Sequence, residues 1–311
     1  MASLWLKLIS ISLIYLNVIA KSTRHQESEF ECVSIDKQSA LQHPLMKNHR
    51  IQTRPSRELL SILSTSNGNI LREIDLKGSE ECPKGQVPIH KQKTNLTNSL
   101  IHPQQIHRAD LTPKLLSRSL TTGAYEFIFR RSSKTNYVLD DQHPKGCYNA
   151  LCPGGYVQIH KSIYPGLVYD KVNALGGKQN TVHLSVAEDP VTKNWVLTIG
   201  SIMIGYWPRQ SHMVDGASEV FFGGFAGNTA SSQPTTSPPM GTGEFPTKDL
   251  SRSCFMKQLK YVLSDYSVVD INANEVEEYV DSRKCYGVMF LKYVDYDSRE
   301  TLTFGGPGGQ C

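Results

Sequence analysis

The chain has 311 residues, 39% of them hydrophobic, and a formal net charge of +4 at pH 7. That is enough apolar material for one large domain, or for a small domain and a large one. The basic residues are scattered and form no run of five or more. We therefore expect no nucleic-acid partner, because that function needs a concentrated basic patch.

The first residues, MASLWLKLISISLIYLNVIA, form an apolar run that contains one lysine. Its last residues include Val18 and Ala20, and small residues three and one positions before a cut are typical of a signal-peptidase site. The run is short for a membrane span, and the polar segment KSTRHQESE follows it directly. We predict a signal peptide over residues 1–20, removed after Ala20, and a secreted, extracellular mature chain that does not span a membrane.

The chain contains seven cysteines, which suits a secreted protein because the secretory pathway is oxidising. The number is odd, so one cysteine is left over from the disulfides within the chain. A zinc site near Cys147 and Cys152 would lack the second pair of Cys or His ligands. We therefore expect no metal and no other cofactor. Asn95, in the sequon Asn95-Leu96-Thr97, is the predicted glycosylation site.

Residues 21–113 are mostly polar and are interpreted as a separate N-terminal unit. A short helical pattern covers Arg57–Leu63, and Cys32 and Cys82 bracket it. A disulfide between them would close a long loop and contribute roughly 4 kcal/mol to stability in the chain-entropy model. Residues 91–114 contain few apolar side chains and are typical of a linker.

Residues 114–311 show the two-residue period of half-buried strands. Apolar residues alternate over 125–129, 182–186 and 195–199, and the polar segment 188–193 between the last two predicts a β-hairpin. SIMIGYWP and VMFLKYVDY predict further strands, and SSQPTTSPPMGTG predicts a loop. Many short strands and few helices favour an all-β fold, an antiparallel β-sandwich.

Familiar catalytic motifs are missing from the sequence. There is no G-x-S-x-G and no H-E-x-x-H, and the glycine-rich segments FGGFAGN and FGGPGGQ lack the lysine of a phosphate loop. A pair of carboxyl groups could still hydrolyse a bond, if one is protonated and the other activates water. Such pairs come from different strands, so spacing alone does not find them.

The segment FFGGFAGN, residues 221–228, places three aromatic residues around a glycine pair and contains no ionisable side chain. A glycine pair allows another backbone or a ligand to approach closely. The segment is therefore either a contact site or a closely packed strand, and the residues alone leave both open.

Several motifs resemble the neprosin family of plants. HPLMKNHRIQTRPS and CPKGQVPI are similar to its activation peptide, and GCYNALCPGGYVQ, DPVTKNWVLTIGSIMIGYWP, MGTGEFP, KCYGV and FGGPGGQC are similar to motifs of its second domain, in the same order. The resemblance implies an activation-peptide-like region over residues 21–113 and a neprosin β-sandwich domain over residues 114–311. It also implies a secreted glutamic endopeptidase that cleaves beside proline.

The resemblance places two catalytic glutamates, and the chain departs from the family at both. An IEAGW-like motif upstream of GCYN is missing, and Phe225 stands where the glutamate of a WGGEV-like motif belongs. We therefore predict a non-catalytic member of the family, a pseudoenzyme. One alternative is an active acid endopeptidase that uses Glu219 with Glu126, or else Glu188, which we expect to be solvated at a hairpin tip. Another is an incomplete gene model of an active peptidase, shortened before Cys147.

Chain order and the family resemblance together imply a set of disulfides and a binding surface. The predicted disulfides are Cys32–Cys82, Cys147–Cys152 and Cys285–Cys311, which leaves Cys254 over. The predicted cleft wall consists of Phe221, Phe222, Phe225 and Trp207. Aromatic walls suit proline-rich chains, which are already extended before they bind. We expect a proline-rich or cell-wall polypeptide as the partner.

Overall fold

The structure, a computed structural model, describes residues 8–9, 14–17, 30–65, 81–90, 121–129, 149–165, 167, 175–177, 179, 181–209, 219–227, 237–280 and 282–310. Within these residues, antiparallel strands predominate, and a single α-helix, α1, covers Arg57–Thr65. The all-β fold predicted from the alternating apolar pattern is confirmed, as is the short helix.

Fifteen strands occur in the described residues. In chain order they are β1 (Leu8–Ile9), β2 (Ile14–Asn17), β3 (Phe30–Ser34), β4 (Gln86–His90), β5 (Thr121–Phe129), β6 (Val157–Gln158), β7 (Thr181–Glu188), β8 (Trp195–Ile199), β9 (Ile202–Trp207), β10 (Glu219–Gly227), β11 (Cys254–Lys257), β12 (Lys260–Leu263), β13 (Val268–Asp270), β14 (Gly287–Tyr293) and β15 (Glu300–Gly305).

An eight-stranded antiparallel sheet is the main layer, with the strand order β14-β15-β11-β2-β7-β8-β9-β6. The predicted hairpin is the β7–β8 pair, in which Glu188 lies opposite Trp195. The other sheets are a ribbon of β5 and β10, a three-stranded sheet β1-β12-β13 and the pair β3-β4.

The ribbon of β5 and β10 packs as a second layer against the main sheet. Phe222 of β10 contacts the buried cluster that contains Met256 of β11 and Phe304 of β15. A Cβ atom built at Gly224 would lie 2.4 Å from Cδ2 of Phe304, so the two strands approach as closely as a glycine allows. This layering gives the antiparallel β-sandwich that the sequence predicts.

The N-terminal unit is held together by the predicted disulfide between Cys32 and Cys82, which is confirmed. The helix α1 packs its buried Leu59 and Leu63 into the same apolar cluster as Trp195 of β8. The unit is therefore joined to the main domain through a shared hydrophobic core.

The other predicted disulfides and the predicted glycan fall partly or wholly outside the described residues. Cys152 and Cys285 are disulfide-bonded, but their predicted partners Cys147 and Cys311 are not described. Cys254 is buried as a thiol. Asn95 and the predicted linker over residues 91–114 also lie outside the described part of the chain. No helix among the described residues is long and apolar enough to cross a membrane.

Two strands lie inside the predicted signal peptide. β1 pairs with β12, and β2 pairs with β11 on one side and with β7 on the other. In the full-length chain, residues 14–17 therefore supply an internal strand of the eight-stranded sheet.

The open edge of the main sheet at β6 is covered by a single glutamine of the N-terminal unit. Gln38 is 1% exposed; its Nε2 donates to the carbonyl oxygen of Gln158 at 2.8 Å, and the Gln158 N–H donates to Gln38 Oε1 at 2.8 Å. The side-chain amide thus makes the two hydrogen bonds that a neighbouring strand would make, and it satisfies an edge that would otherwise be unpaired.

We predict that Gln38→Ala lowers the free energy of unfolding by about 2 kcal/mol, because it leaves a buried N–H and C=O of Gln158 without these partners. The matched control is Gln42→Ala at an exposed position of the same unit, which we expect to change it by less than about 0.5 kcal/mol. Urea unfolding of both variants measures the difference. Equal effects would contradict the role given to Gln38.

Candidate functional site

The ribbon carries Glu126 and Glu219, the two glutamates that the sequence offers as an alternative catalytic pair. In its antiparallel register Glu219 lies opposite Phe129, Glu126 lies opposite Phe222, and Phe225 lies opposite Gly123. The register is continuous over nine residue pairs, with no bulge. The position of every residue on the ribbon therefore follows from simple alternation.

The register does not bring Glu126 and Glu219 together. Directly opposed residues share a face, so Glu219 shares the face of Phe129, whereas Glu126, three residues before Phe129, belongs to the other face. Three residues of a strand also span about 10 Å. Two carboxyl groups that share a water must be within hydrogen-bond reach of it, and these two positions do not provide that arrangement.

The glycine pair has two different faces. Gly224 packs against Phe304 and Met240, whose Sδ would lie 2.6 Å from a Cβ atom built at Gly224. No described residue lies within 4 Å of a Cβ built at Gly223. Alternation places position 225, where the family resemblance implies a glutamate, on the same face of the strand as Gly223.

Two residues of the predicted cleft wall, Phe222 and Trp207, contact different apolar clusters. Phe222 packs on the cluster around Phe304, whereas Trp207 packs on the cluster around Trp195, and its ring centroid lies 4.8 Å from that of Tyr156. Phe222 and Trp207 are therefore partly buried, each against a different core cluster. Phe221 and Phe225 alternate with Phe222 and fall on the face of Gly223.

Glu188 is buried, and the prediction that it is solvated at a hairpin tip is wrong. It is the last residue of β7 and is 8% exposed. Its Oε1 lies 3.2 Å from Nζ of Lys193 and accepts a hydrogen bond at 3.1 Å from the hydroxyl of Tyr266. Sequence reasoning missed this because Tyr266 comes from the distant turn between β12 and β13. Glu188 is occupied by a cation and a phenol rather than by a second carboxyl group.

A polar cluster that the sequence did not reveal joins the N-terminal unit to the β7–β8 hairpin. Its centre is Asp189, which is fully buried. Asp189 Oδ2 accepts from Nε2 of Gln52 at 2.8 Å and from the backbone N–H of Ser56 at 2.8 Å. Its Oδ1 accepts from the N–H groups of Val191 at 2.9 Å and Thr192 at 3.2 Å. One carboxylate thus closes the hairpin turn and binds the segment that leads into α1.

Gln52 completes this cluster with its own side chain and backbone. Its Oε1 accepts at 2.8 Å from both Nδ2 of Asn194 and Oγ1 of Thr192. Its backbone N–H donates to the hydroxyl of Tyr206 at 3.3 Å, and that hydroxyl lies 2.6 Å from Nε2 of His49. Burial raises the pKa of Tyr206 to about 12, so the phenol keeps its proton at ordinary pH.

The hydrogen bonds around Asp189 control its ionisation. Burial alone would raise its pKa, but the hydrogen bonds from Ser56, Val191 and Thr192 together lower the pKa below its ordinary value of 3.8. A lowered pKa in the folded protein means that ionised Asp189 stabilises the fold at pH values above about 3.8. That stabilisation is lost as the pH falls through the lower, folded-state pKa.

The two motifs that form this cluster, HRIQTRPS and DPVTKNW, were both noticed in the sequence. The sequence signal for the cluster was limited to several polar residues in each motif. Neither spacing nor periodicity indicates that they meet, because Gln52 and Asp189 are 137 residues apart.

We predict that Asp189→Asn lowers the free energy of unfolding by about 2 kcal/mol at pH 6, because the N–H donors lose a charged acceptor. The loss should shrink as the pH falls below about 3.8 and through the lower, folded-state pKa, at which the wild-type carboxylate also becomes neutral. Thermal unfolding across pH 2.5 to 7 measures it, with Asp297→Asn at an exposed position as the control. A loss that does not depend on pH would contradict the role of the ionised form.

We also predict that Gly224→Ala destabilises the protein by about 2 kcal/mol, because the new methyl group overlaps Phe304 and Met240. The neighbouring Gly223→Ala is the matched control and should change stability by less than about 1 kcal/mol, since no described residue meets its Cβ. Urea unfolding compares them. Equal losses would show that Gly223 is covered as well.

Comparison with protein-family models places both parts of the chain in one family. The Neprosin model matches residues 130–307, and the Neprosin activation peptide model matches residues 24–127. The Asp189 cluster therefore connects residues matched by the activation-peptide model to residues matched by the Neprosin model. The first of these matches alone covers more than half of the chain, and the chain belongs to the neprosin family.

Proposed function

We propose that this protein is a secreted neprosin-family protein that binds polypeptide without cleaving it. The family supplies the general character of a peptidase-like protein with an activation peptide. We add three proposals to this family assignment: the protein is not catalytic, it is secreted, and it binds a polypeptide.

The register of the ribbon is the main support for the proposal that the protein does not cleave peptides. Phe225 occupies the position where the resemblance places a glutamate, and a phenylalanine neither donates nor accepts a proton. The two nearby acids, Glu126 and Glu219, belong to opposite faces. Loss of one general acid or base typically costs about 10²- to 10⁴-fold in rate, and here neither position of the pair is filled.

Secretion is supported by the apolar run at the start of the sequence and by the disulfide between Cys32 and Cys82. Disulfides persist in oxidising compartments. We propose that residues 1–20 are removed and that the mature chain begins at Lys21.

Polypeptide binding is supported by the face of the ribbon that carries Gly223, where no described residue lies within 4 Å of a Cβ atom built on that glycine. The residues at positions 221 and 225 fall on that face by alternation, and both are phenylalanines. Aromatic grooves bind proline-rich segments, whose extended conformation loses little entropy on binding. A proline-rich or cell-wall polypeptide is therefore the proposed ligand of this face.

We predict that the wild-type protein does not cleave a proline-rich peptide near pH 3 and does not shorten itself during the same incubation. Mass spectrometry of peptide and protein detects both reactions, and Glu219→Gln and Glu126→Gln are assayed in parallel. Cleavage by the wild type that either substitution abolishes would establish a glutamic peptidase. The same peptide should bind at neutral pH, and Phe225→Ser should weaken that binding about tenfold.

A second candidate function, that of an active peptidase, is supported by the set of strands that forms the main sheet. One of its internal strands, β2, comes from the predicted signal peptide. This is the pattern expected if a strand of the domain itself had been lost from the gene model before Cys147, together with the first catalytic motif. The alternative is then an active peptidase with a longer chain. Sequencing the transcript across residues 115–147 decides between a non-catalytic protein and an active peptidase. Extra codons in this region would favour the active peptidase.

A further inference from the structure

The turn between β14 and β15 presents an exposed tyrosine, Tyr296. Its side chain is 77% exposed, whereas two other exposed tyrosines, Tyr279 and Tyr293, are 54% and 55% exposed. The hydroxyl of Tyr296 has no hydrogen-bond partner among the residues that the structure describes. By contrast, the hydroxyls of Tyr266 and Tyr286 each donate a hydrogen bond within the protein. The phenol of Tyr296 is therefore open to an enzyme that approaches from solvent.

The backbone on both sides of this tyrosine is held in place. The N–H of Ser298 donates to Oδ1 of Asp295 at 2.6 Å. Gln258, in the turn between β11 and β12, donates its N–H to the carbonyl oxygen of Ser298 and its Nε2 to that of Asp297, both at 2.8 Å. These hydrogen bonds anchor the turn to its neighbour and leave the ring of Tyr296 at the tip of the hairpin.

The neighbours of Tyr296 along the chain are acidic. Asp295 and Asp297 flank it, and both are exposed. A backbone hydrogen bond lowers the pKa of Asp295 below its ordinary value of 3.8, so this carboxylate is ionised at neutral pH. Tyr293, which is exposed on the same hairpin, directly follows the exposed Lys292 instead. The hairpin thus carries one exposed tyrosine between two acids and one beside a base.

We propose that Tyr296 is a sulfation site, the acceptor of one sulfuryl group in the secretory pathway. The inference rests on the proposed secretion, because transferases that sulfate protein tyrosines act in the lumen of that pathway. Folding precedes this step, so the acceptor must protrude from the folded protein to enter the active site of the transferase. The donor is a nucleotide phosphosulfate, a polyanion that needs a basic active site, and a basic site attracts an acidic acceptor segment.

The transfer needs no residue of this protein besides the acceptor. The phenol oxygen of Tyr296 attacks the sulfur of the donor and forms a new O–S bond. The bond between that sulfur and the phosphate oxygen breaks, and the nucleotide leaves with the electron pair. The phenolic proton passes to a base of the transferase. The product is a sulfate ester, which places a further negative charge beside Asp295 and Asp297.

The test uses the full-length chain, expressed in a secretory eukaryotic host that sulfates a reference protein. N-terminal sequencing of the protein in the medium shows whether the chain is secreted and begins at Lys21. Trypsin cleaves after Lys292 and Arg299, so one peptide contains both Tyr293 and Tyr296. Mass spectrometry should find one added SO₃ group in the wild type and in the matched control Tyr293→Phe, and none in Tyr296→Phe.

The acidic neighbours are tested by the double substitution of Asp295→Asn and Asp297→Asn. We expect it to lower the modified fraction at least about fivefold, because the segment loses its attraction to a basic active site. Urea unfolding of the variant checks that the fold is kept. Modification of Tyr293 to the same extent as Tyr296 would overturn the role given to the two acids.

Chlorate, which blocks synthesis of the phosphosulfate donor, should abolish the added group, and a phosphatase should leave it in place. The opposite pair of results would identify a phosphate and overturn the proposal. A secreted chain that begins at Lys21 and is unmodified overturns the sulfation site and leaves the proposed secretion intact. If the chain stays in the cell, the proposed secretion fails, and the purified protein is incubated with a tyrosine sulfotransferase and its donor. Transfer to Tyr296 and not to Tyr293 then supports the acceptor, and no transfer overturns it.

Discussion

The buried carboxylate of Asp189 is the interaction on which the arrangement of the two parts depends. It accepts hydrogen bonds from the turn that follows it and from Gln52 and Ser56 of the N-terminal unit. The apolar contacts of Leu59 and Leu63 lie close by in the chain, but apolar contacts are not directional. The hydrogen bonds of the carboxylate are directional, and its lowered pKa means that their stabilising effect declines as the pH falls through the folded-state pKa.

The local elements could be predicted from the sequence, because their signals are local. Alternation identified β7 and β8, and a helical pattern identified α1 within two residues of its end. The burial of Glu188 and the contact between Gln52 and Asp189 could not be predicted, since each depends on a residue from a distant turn or unit. The disulfide between Cys32 and Cys82 could be predicted because the two cysteines bracket the N-terminal unit and the family resemblance implies their pairing.

The ribbon separates the requirements of the fold from those of catalysis. Gly224 is needed for packing, because any side chain there would overlap Phe304. Position 225 alternates with Gly224 and so belongs to the other face of β10. The contact of Gly224 with Phe304 therefore constrains the glycine and not the residue type at position 225. A motif can keep its glycine for packing while the residue beside it varies, so the fold alone does not establish the function.

The leader and an internal strand make similar demands on a sequence. A signal peptide needs an apolar run, and an inner strand needs apolar residues on at least the face that meets the core. Residues 14–17 meet both demands, with Leu16 opposite Val182 and Met256. The same short segment can therefore satisfy the sequence pattern of a predicted signal peptide and that of an internal strand of this sheet.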